Sequence, residues 1–479
     1  MKPIPLWHWR KLELNQRSGS EIFQALFLNQ SAKKVASISS DLVNNMAVLL
    51  ESPEKSLTNL ARYSICAGSP RQIDSKPQIW TPQIGKILPF LRNLLNSQNQ
   101  NFDRNVPPEL PFTGGWLGWL GYDLAWEIER LPQINNNSLP FPVSCWYEPE
   151  NFAVLDSQEQ WLWLAASQES QLDVMEKQLE QCYPQIKSLK STNFSQENSE
   201  NLIFNLSQDD YKKIVLQTQK YIYAGDIFQA NLSLRFAANT NCDSWSIYRA
   251  LQQINPSPFA SYWQTPWGAI VSCSPERLVK LSGKKVETRP IAGTRSRGLN
   301  SLQDRQLAQE LIENTKERAE HIMLVDLERN DLGRVCEWGS VQVNEFLTIE
   351  RYSHVMHLVS NVIGTLRQDC DAIDLIRAVF PGGTITGCPK VRCLEIIEEL
   401  EPVKRNLFYG SCGYLDWRGN LDLNILIRTL LYTSKSADSA GGMVWGQVGA
   451  GIVADSNPDK EWQESLHKAQ AQINALKLA

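Results

Sequence analysis

Two pairs of glutamates with the same spacing lie on two predicted helices that are far apart in the chain. Glu317 and Glu320 occur in KERAEHIMLVDLERND, and Glu461 and Glu464 occur in NPDKEWQESLHK, where Lys468 extends the same face. A spacing of three places both carboxylates of a pair on one side of a helix. The dipeptide NP before the second pair is typical of a helix start.

These acids have two interpretations. Mg²⁺ prefers carboxylate oxygens and leaves room for oxygens of a substrate, so two facing pairs would form a magnesium site. Facing pairs without a cation would repel one another. The alternative is a solvated acidic face on each helix, because surface helices commonly carry charge on the side away from the core. The spacing alone leaves both interpretations open.

Three glycine-rich segments are candidate anion sites: PIAGTRSRG (290–298), PGGTITGCPK (381–390) and GQVGAG (446–451). None matches the glycine fingerprints of dinucleotide-binding or phosphate-binding loops. The first carries two arginines and the second a lysine, and cations beside glycine N–H groups suit carboxylates. A small dianionic acid therefore fits better than a nucleotide. The alternative for each segment is a plain turn.

Composition argues against several classes of partner. The chain has 479 residues and a net charge of −5, so neither nucleic acid nor an anionic membrane surface is an expected partner. No stretch approaches the roughly 18 consecutive apolar residues of a membrane span, and the first residues lack the apolar core of a signal peptide. We therefore expect a cytoplasmic protein. The ten cysteines form no CxxC pair and are expected to be reduced thiols.

The pattern along the chain predicts two regions and an α+β fold. Residues 191–205 (STNFSQENSENLIFN) lose apolar periodicity, which predicts a linker or exposed loop between an N-terminal region, 1–190, and a C-terminal region, 206–479. Strand-like runs recur in pairs, with helical runs between the groups, as in α+β proteins. One long helix is expected over 302–327. The tryptophans of GGWLGWLGYD are expected in the core.

Taken together, the motifs resemble the signature of the chorismate-utilising enzymes. The resemblance rests on ERAEHIMLVDLERND, YSHVMHLVSNVIGTL, PGGTITGCPKVRCLEIIEELEP, YGSCGYLDWRGN and GAGIVADSNPDKEWQE, with LLESP, RYSI and LPFTGGWLGWLGYD in the N-terminal region. It covers nearly the whole chain. It implies two β-sheets packed as a sandwich and flanked by helices, a Mg²⁺ cofactor, and chorismate as the substrate. Within the family, the chain resembles the large subunits that make aminodeoxychorismate or anthranilate.

The resemblance also implies site residues. Glu320 and Glu464 would bind Mg²⁺ directly, and Glu317 and Glu461 directly or through water. His357 falls where the family places a histidine against the substrate ring. The expected contacts of the substrate's carboxylates and hydroxyls are Gly293, Thr294, Thr384, Tyr409, Arg428, Gly451 and Lys468.

Two further positions imply the chemistry. Glu276 of SCSPERL matches the family's general acid, which protonates the departing hydroxyl on ring carbon 4, and that role needs a pKa raised by burial. Gln229 stands where relatives that add water carry a lysine base. An amide cannot activate water, so ammonia is the expected nucleophile. A separate glutamine amidotransferase (glutaminase) subunit is the expected source, because the chain carries no glutaminase nucleophile motif.

The resemblance leaves more than one product open. PGGTITG and FQANLSLRF, which contains Asn231, favour aminodeoxychorismate, the precursor of para-aminobenzoate and folate. Ala292 stands where some aminodeoxychorismate synthases carry a lysine that attacks the ring. We predict component I of an aminodeoxychorismate synthase, with component I of an anthranilate synthase as the alternative. A non-catalytic, amino-acid-binding regulator of the same fold is a third interpretation, but it predicts loss of the metal glutamates or of Glu276, and all five are present.

A second site is suggested near the N-terminus. LLES (49–52) and NPSPF (255–259) resemble the tryptophan-inhibition pocket of anthranilate synthases and mark Glu51, Ser52 and Pro256 as a candidate amino-acid pocket. The second motif usually continues with Tyr and Met, where Phe and Ala stand here. The alternative for LLES is a helix end and a core turn.

Overall fold

The computed structural model describes residues 7–28, 46–52, 59–98, 107, 109–181, 202–352, 355–435 and 441–479. Two large antiparallel β-sheets dominate it, and their strands are numbered along the chain. The larger sheet contains β1 (His8–Glu13), β2 (Ala47–Glu51), β3 (Tyr63–Ala67), β9 (Asn151–Asp156), β10 (Trp161–Ala166), β11 (Ile203–Phe204), β12 (Gln229–Thr240), β13 (Phe259–Thr265), β14 (Gly268–Ser274), β20 (Gly387–Cys388), β23 (Thr429–Ser434) and β24 (Gly442–Ile452). The smaller sheet contains β6 (Ile79–Trp80), β7 (Gly115–Leu120), β8 (Ser144–Tyr147), β15 (Arg277–Ser282), β16 (Lys285–Thr288), β17 (Ile291–Ser296), β18 (Gln342–Arg351), β19 (Val355–Thr365), β21 (Ser411–Asp416) and β22 (Leu421–Asn424). A separate hairpin joins β4 (Gln72–Ile73) to β5 (Lys76–Pro77).

Two helices carry the glutamate pairs: Thr315–Gly333, here called the acidic helix, and Pro458–Leu478, the C-terminal helix. The other α-helices are Gly19–Phe23, Ile87–Gln98, Ala125–Ile128, Glu169–Gln181, Gln208–Tyr223, Ser244–Ile254, Ser301–Glu313, Ala372–Val379 and Lys390–Leu400. A 3₁₀ turn at Gly383–Ile385 lies near the site. In the described part of the chain, no helix combines the length and apolar character that crossing a membrane requires.

Both predicted regions contribute strands to both sheets. The larger sheet runs β1-β10-β9-β3-β2-β13-β14-β23-β24-β12-β11, so N-terminal strands join C-terminal ones where β2 pairs with β13. In the smaller sheet, β7 pairs with β21. The last residues of the predicted linker form β11, which pairs with β12, and residues 191–201 lie outside the described residues. The segment 191–205 therefore divides the sequence without dividing the sheets.

The main apolar core lies between the two sheets. Trp119 of β7 meets Trp263 of β13 edge to face, with ring centroids 5.6 Å apart, and both rings are fully buried. Trp116 is buried in the same cluster. A second core lies where helices, including Ser244–Ile254 and the C-terminal helix, cover the larger sheet. The predicted α+β class and the sandwich of two sheets flanked by helices are confirmed.

The starts of the two glutamate-bearing helices are set by asparagine caps. The C-terminal helix begins as predicted: the Asn457 side chain accepts the N–H groups of Asp459 and Lys460 at 3.0 and 3.1 Å. The prediction of one long helix over 302–327 is wrong. Asn314 leaves the helical conformation there, and its side chain accepts the Glu317 N–H at 3.0 Å, which starts a new helix. This cap fixes Glu317 in the first turn of the acidic helix.

Candidate active site

A cleft of about 630 Å³ opens where the acidic helix approaches the ends of β12 and β24. Its lining includes Gln229, Lys316, Glu320 and Met323, together with the backbone at Ala454. The cleft therefore brings together Glu320 of the first glutamate pair, the strand that carries Gln229, and the turn that follows the GQVGAG segment.

Glu320 is held against the sheet by an amide. The Gln229 Nε2 atom donates to the Glu320 carboxylate at 2.9 Å. Burial raises the pKa of Glu320, and this hydrogen bond works against the shift. Gly451 of β24 lies beside the pair, and a Cβ there would come within 2.3 Å of Gln229 Nε2. Glycine is therefore required at 451 for the amide to reach the carboxylate.

Glu317 lies one helical turn before Glu320 and packs against the first glycine segment. Arg295 Nη1 donates to its Oε1 atom at 2.7 Å. Its Oε2 atom is buried and has no hydrogen-bond partner among the described residues. Gly293 has a φ of +67°, and a Cβ at that position would lie 2.0 Å from the same oxygen. The carboxylate thus has one oxygen paired with a cation and one available to a ligand.

The second pair belongs to the same electrostatic cluster. Glu461 is buried, which raises its pKa, and the charge of Glu464 raises that pKa further. The charge of Glu464 also acts to raise the pKa of Glu320. Lys468 Nζ pairs with Glu464 at 2.7 Å, while Lys316 and Lys468 together lower the pKa of Glu320 and of Glu461. The glutamates of the two helices therefore act on one another electrostatically.

The donor set has the chemistry of a magnesium site, although its side chains are held by protein cations. Among the residues that the structure describes, no three Asp, Glu, His or Cys side chains are grouped closely enough to coordinate an ion as they stand. Arg295 engages Glu317, and Lys468 engages Glu464. Hard carboxylate oxygens and the orphaned Glu317 Oε2 fit Mg²⁺. Binding of an ion would require both cations to turn aside.

Glu276 lies at the junction between β14 and β15 and is only 5% exposed. Burial raises its pKa to about 8, although the Thr384 hydroxyl and the Ile291 N–H act to lower it. The nearby carboxyl of Glu328 acts in the opposite direction and raises it. A carboxyl with this pKa carries its proton at neutral pH and can act as a general acid.

His357 is neutral and oriented by its neighbours. It lies opposite Thr294 in the pairing of β17 with β19, and its Nδ1 atom is 3.0 Å from the Thr294 hydroxyl and 3.4 Å from the Gly293 carbonyl. Burial lowers the pKa of His357 to about 4, and the Arg428 cation lowers it as well. The imidazole therefore offers hydrogen bonds rather than charge near pH 7.

Tyr409 and Arg428 occupy turns with positive φ, 64° and 51°. Arg428 Nη1 donates to the Lys468 carbonyl at 2.9 Å, and Lys468 Nζ reaches the Gly449 carbonyl at 3.1 Å. The charge of Arg428 acts on both Tyr409 and Glu464. Arg428, Lys468 and the tyrosine thus form a cationic, hydrogen-bonding wall beside the second glutamate pair.

The candidate amino-acid pocket is a different cavity. A space of about 110 Å³, lined by Glu51 and Ser52, lies beside Pro258, whereas Pro256 is not part of its lining. The Glu51 carboxylate accepts hydrogen bonds from the side chains of Ser20, Tyr248 and Gln252. Ser52 donates to the Pro258 carbonyl. Internal partners therefore already engage both polar side chains.

Sequence reasoning missed the buried acids of the acidic helix. The segment VDLERND has the charged composition of a helix end, and its acids were not singled out, but Glu328 and Asp331 are 4% and 3% exposed. Lys390 Nζ pairs with Asp331 at 2.6 Å. The available signal was spacing, since Glu328 and Asp331 fall in line with Leu324 and Val325, which are also buried.

Comparisons with known proteins identify the family of the chain. Residues 45–474 match the model of the chorismate binding enzyme family. The chain is 58% identical over 98% of its length to an "Anthranilate synthase component I-like protein" of Synechocystis sp. PCC 6803, covering 92% of that protein. It is 43% identical over 90% of its length to "Aminodeoxychorismate synthase component 1" of Bacillus subtilis, again covering 92% of that protein. The solved structure of anthranilate synthase component I from Streptococcus pneumoniae superposes with a TM-score of 0.73 at 28% identity, covering 96% of this chain and 99% of that one.

A two-sheet sandwich with a cleft lined by acids and cations, matched by the family model over most of its length, defines a chorismate-utilising enzyme. The chain belongs to the chorismate binding enzyme family. Its relatives carry the names of two different synthases, one for anthranilate and one for aminodeoxychorismate. Membership of the family therefore does not determine the product.

Proposed function

We propose that the chain is component I of an aminodeoxychorismate synthase, which uses Mg²⁺ and ammonia to convert chorismate to 4-amino-4-deoxychorismate. The observation that carries the proposal is that the site contains a protonated acid, Glu276, and an amide, Gln229, that cannot act as a base. Glu276 carries a proton at neutral pH, and Gln229 is hydrogen-bonded to Glu320. The site thus has an acid for the leaving group and no lysine at 229 to activate water.

The proposed reaction replaces the hydroxyl on ring carbon 4 with an amino group. Glu276 gives its proton to the hydroxyl oxygen, the C–O bond breaks, and water leaves. The lone pair of ammonia forms the new C–N bond. The proton that the nitrogen then loses restores the Glu276 carboxyl, so the protons balance. Neutral His357, oriented by Thr294, would hold the ring by hydrogen bonds.

The residues proposed to hold Mg²⁺ are Glu320 and Glu464, with Glu317 and Glu461 binding it directly or through water. When bound, Mg²⁺ would neutralise the ring carboxylate and hold it in place. The buried, unpaired Oε2 atom of Glu317 supports this set. Arg428 and Lys468 would contact a second carboxylate, and for Lys468 this would require its release from Glu464.

The proposed partner is a glutamine amidotransferase subunit that delivers ammonia. Ammonium is the dominant form at pH 7 and has no lone pair for attack, so neutral ammonia must be supplied locally or at a high ammonium concentration. The component I names of the relatives are consistent with a two-component enzyme.

Two features support aminodeoxychorismate over anthranilate. The PGGTITG turn and Asn231 resemble the aminodeoxychorismate branch, and the Asn231 amide donates to the Thr384 carbonyl at 3.2 Å, which links these two features. The Bacillus subtilis relative bears that name. Ala292 provides no nucleophile, so ammonia would attack the ring without a covalent enzyme intermediate.

Anthranilate synthase is the second candidate, because the Synechocystis relative at 58% identity is named for it and a cavity lies at the LLES segment. The product decides between the two. The purified chain with chorismate, Mg²⁺ and ammonium is expected to give para-aminobenzoate once an aminodeoxychorismate lyase is added. Fluorescent anthranilate formed without the lyase would assign the chain to the alternative.

A further inference from the structure

A buried ion pair connects several segments that carry candidate site residues. Arg405 and Glu401 are 2% and 3% exposed, and neither was a candidate from the sequence. Arg405 Nε donates to Glu401 Oε2 at 2.9 Å, and Nη2 donates to Oε1 at 2.6 Å. Two bonds between the same two planar groups fix the orientation of the guanidinium. Its other contacts are therefore set by this pair.

The guanidinium also binds two backbone carbonyls. Arg405 Nη1 donates to the Ile385 carbonyl at 2.9 Å, and Nη2 donates to the Asn231 carbonyl at 2.6 Å. Ile385 ends the 3₁₀ turn that carries Thr384, and Asn231 belongs to β12. The turn and the strand contact each other as well, since the Asn231 N–H donates to the Thr386 carbonyl at 2.8 Å. Arg405 thus holds the turn against the strand.

Two tyrosine rings lie against the same guanidinium. The Cζ atom of Arg405 is 4.7 Å from the ring centroid of Tyr122 and 4.7 Å from that of Tyr409. Such contacts between a cation and an aromatic ring are attractive. Tyr122 is 1% exposed, and its hydroxyl has no hydrogen-bond partner among the described residues, so its ring makes the contact that matters here. Arg405 therefore holds the ring of Tyr409, a candidate substrate contact.

Glu401 anchors the ion pair to both strands that border the cleft. Its Oε1 atom accepts the N–H and the hydroxyl of Ser233 in β12 at 2.7 and 2.8 Å. Gln447 of β24 donates from Nε2 to the Ser233 hydroxyl oxygen at 2.7 Å. The acid thus fixes Arg405 relative to β12 and, through Ser233, relative to β24.

The residues that Arg405 holds keep polar atoms available to a ligand. Asn231 Oδ1 and the Thr384 hydroxyl are buried without a hydrogen-bond partner among the described residues. The Asn231 amide is oriented by its Nδ2 atom, which donates to the Thr384 carbonyl, so its oxygen is the unpaired end. Buried polar atoms without partners are costly, and a bound ligand or water can supply the missing hydrogen bonds.

We propose that Arg405 is a positioning residue for the substrate: it fixes the Tyr409 ring, the turn of Thr384 and the strand of Asn231 relative to one another. The inference deepens the proposed function and rests on chorismate as the ligand of Tyr409 and Thr384. Arg405 acts through these residues, and Glu401 holds it in place.

The test is Arg405→Lys, which retains a cation beside Glu401. A single ammonium lacks the planar fork that reaches the carboxylate and both carbonyls together. The KM for chorismate should rise by about tenfold while kcat stays within about threefold, because the lost contacts order groups that bind the substrate. Equilibrium titration with chorismate and Mg²⁺, without ammonium, should show the same loss of affinity. A lower kcat with unchanged KM and affinity would mean that Arg405 supports only the fold, and would overturn the proposal.

Arg71→Lys is the matched control. Arg71 and Glu148 form another buried ion pair, 1% and 3% exposed, and Arg71 Cζ lies 4.7 Å from the ring centroid of Trp7. The same substitution is thus made in similar surroundings, at a pair that includes no candidate site residue. Its KM and affinity for chorismate should equal those of the wild type. A rise in KM as large as that of Arg405→Lys would contradict the proposal.

Two variants of Tyr122 test the proposal without changing the ion pair. Tyr122→Leu removes the ring that lies against Arg405, whereas Tyr122→Phe keeps the ring and removes only the unpartnered hydroxyl. The KM for chorismate should rise in Tyr122→Leu, by less than in Arg405→Lys, and should stay at the wild-type value in Tyr122→Phe. These variants decide the question if thermal unfolding shows that Arg405→Lys does not fold. Equal KM values for the two would contradict the proposal.

Amide hydrogen exchange needs no substrate and separates this inference from the proposed function. In Arg405→Lys, exchange should become faster in peptides that cover 231–233, 383–386 and 407–410, and should not change in those that cover β9 and β10. Uniformly faster exchange, or unchanged exchange in the three segments, would overturn the proposal. A wild-type chain that binds no chorismate would remove the proposed function, and the exchange pattern would still confirm or overturn the positioning of these segments by Arg405.

Discussion

The candidate site contains two groups of carboxyls, and the charged groups around them differ. Lys316, Lys468 and Glu464 act on the charge of Glu320, and Lys468 pairs with Glu464, whereas the groups that shift the pKa of the buried Glu276 are Thr384, Glu328 and the Ile291 N–H, none of which is a cation. In the proposed mechanism, the charge of Glu320 and Glu464 serves a bound cation, while the proton of Glu276 serves the leaving hydroxyl. The neighbouring groups thus determine whether a glutamate in this site keeps its charge or its proton.

The largest expected effect follows from removing the proton donor. Glu276→Gln should lower kcat by about 10²–10⁴-fold, the usual contribution of a general acid, while chorismate still binds in the presence of Mg²⁺. Turnover and equilibrium binding would be measured on the same preparation. Activity within a few-fold of the wild type would show that another group protonates the leaving hydroxyl.

The next largest effect tests whether the glutamates of the two helices bind Mg²⁺. Glu464→Gln should raise the Mg²⁺ concentration for half-maximal turnover by at least about 100-fold, the upper range for loss of a group that supports a metal site. Asp459→Asn is the control, since Asp459 is on the same helix, 66% exposed and paired with Lys212. An unchanged Mg²⁺ requirement in Glu464→Gln would exclude this glutamate as a ligand.

The pH dependence of kcat/KM tests whether Glu276, unlike the glutamates of the two helices, acts in its protonated form. Because burial raises the pKa of Glu276 to about 8, the acid is active below that pH and kcat/KM should fall tenfold per unit above it. His357, whose pKa burial lowers to about 4, should add no limb between pH 5 and 7. The free ammonia concentration must be held constant across the series. A limb near pH 4.5, the ordinary value for a glutamate, would mean that burial does not raise the pKa of the general acid.

The smallest expected effect concerns stability. Glu464 is half exposed and paired with Lys468, so Glu464→Gln should change the free energy of unfolding of the metal-free protein by less than about 1 kcal/mol. Denaturant unfolding in EDTA measures it. A larger loss would show that the glutamate supports the fold, and its effect on turnover could then not be assigned to the metal.

Local signals in the sequence predicted much of what holds the site. The start of the C-terminal helix at Asn457 followed from its capping residues, and the shared face of Glu461 and Glu464 followed from helical spacing. The break at Asn314 was missed because the apolar pattern continues across it, although an asparagine three residues before Glu317 is itself a capping signal.

Long-range placement could not be predicted from local patterns. VDLERND has the composition of an exposed helix end, and only the packing of the Gly383–Ile385 turn against the acidic helix buries Glu328. The pairing of β2 with β13, which unites the two predicted regions in one sheet, joins residues about two hundred positions apart. No periodicity within either segment specifies such a partner.

The most direct test is to follow nitrogen from ¹⁵N-ammonium into the product of the purified chain, by mass spectrometry, with Mg²⁺ and with EDTA. We predict Mg²⁺-dependent formation of a labelled product that carries the nitrogen on ring carbon 4 and retains the enolpyruvyl side chain. Chorismate left unconsumed, or consumed without gain of the label, would contradict the assignment of this cleft to amination.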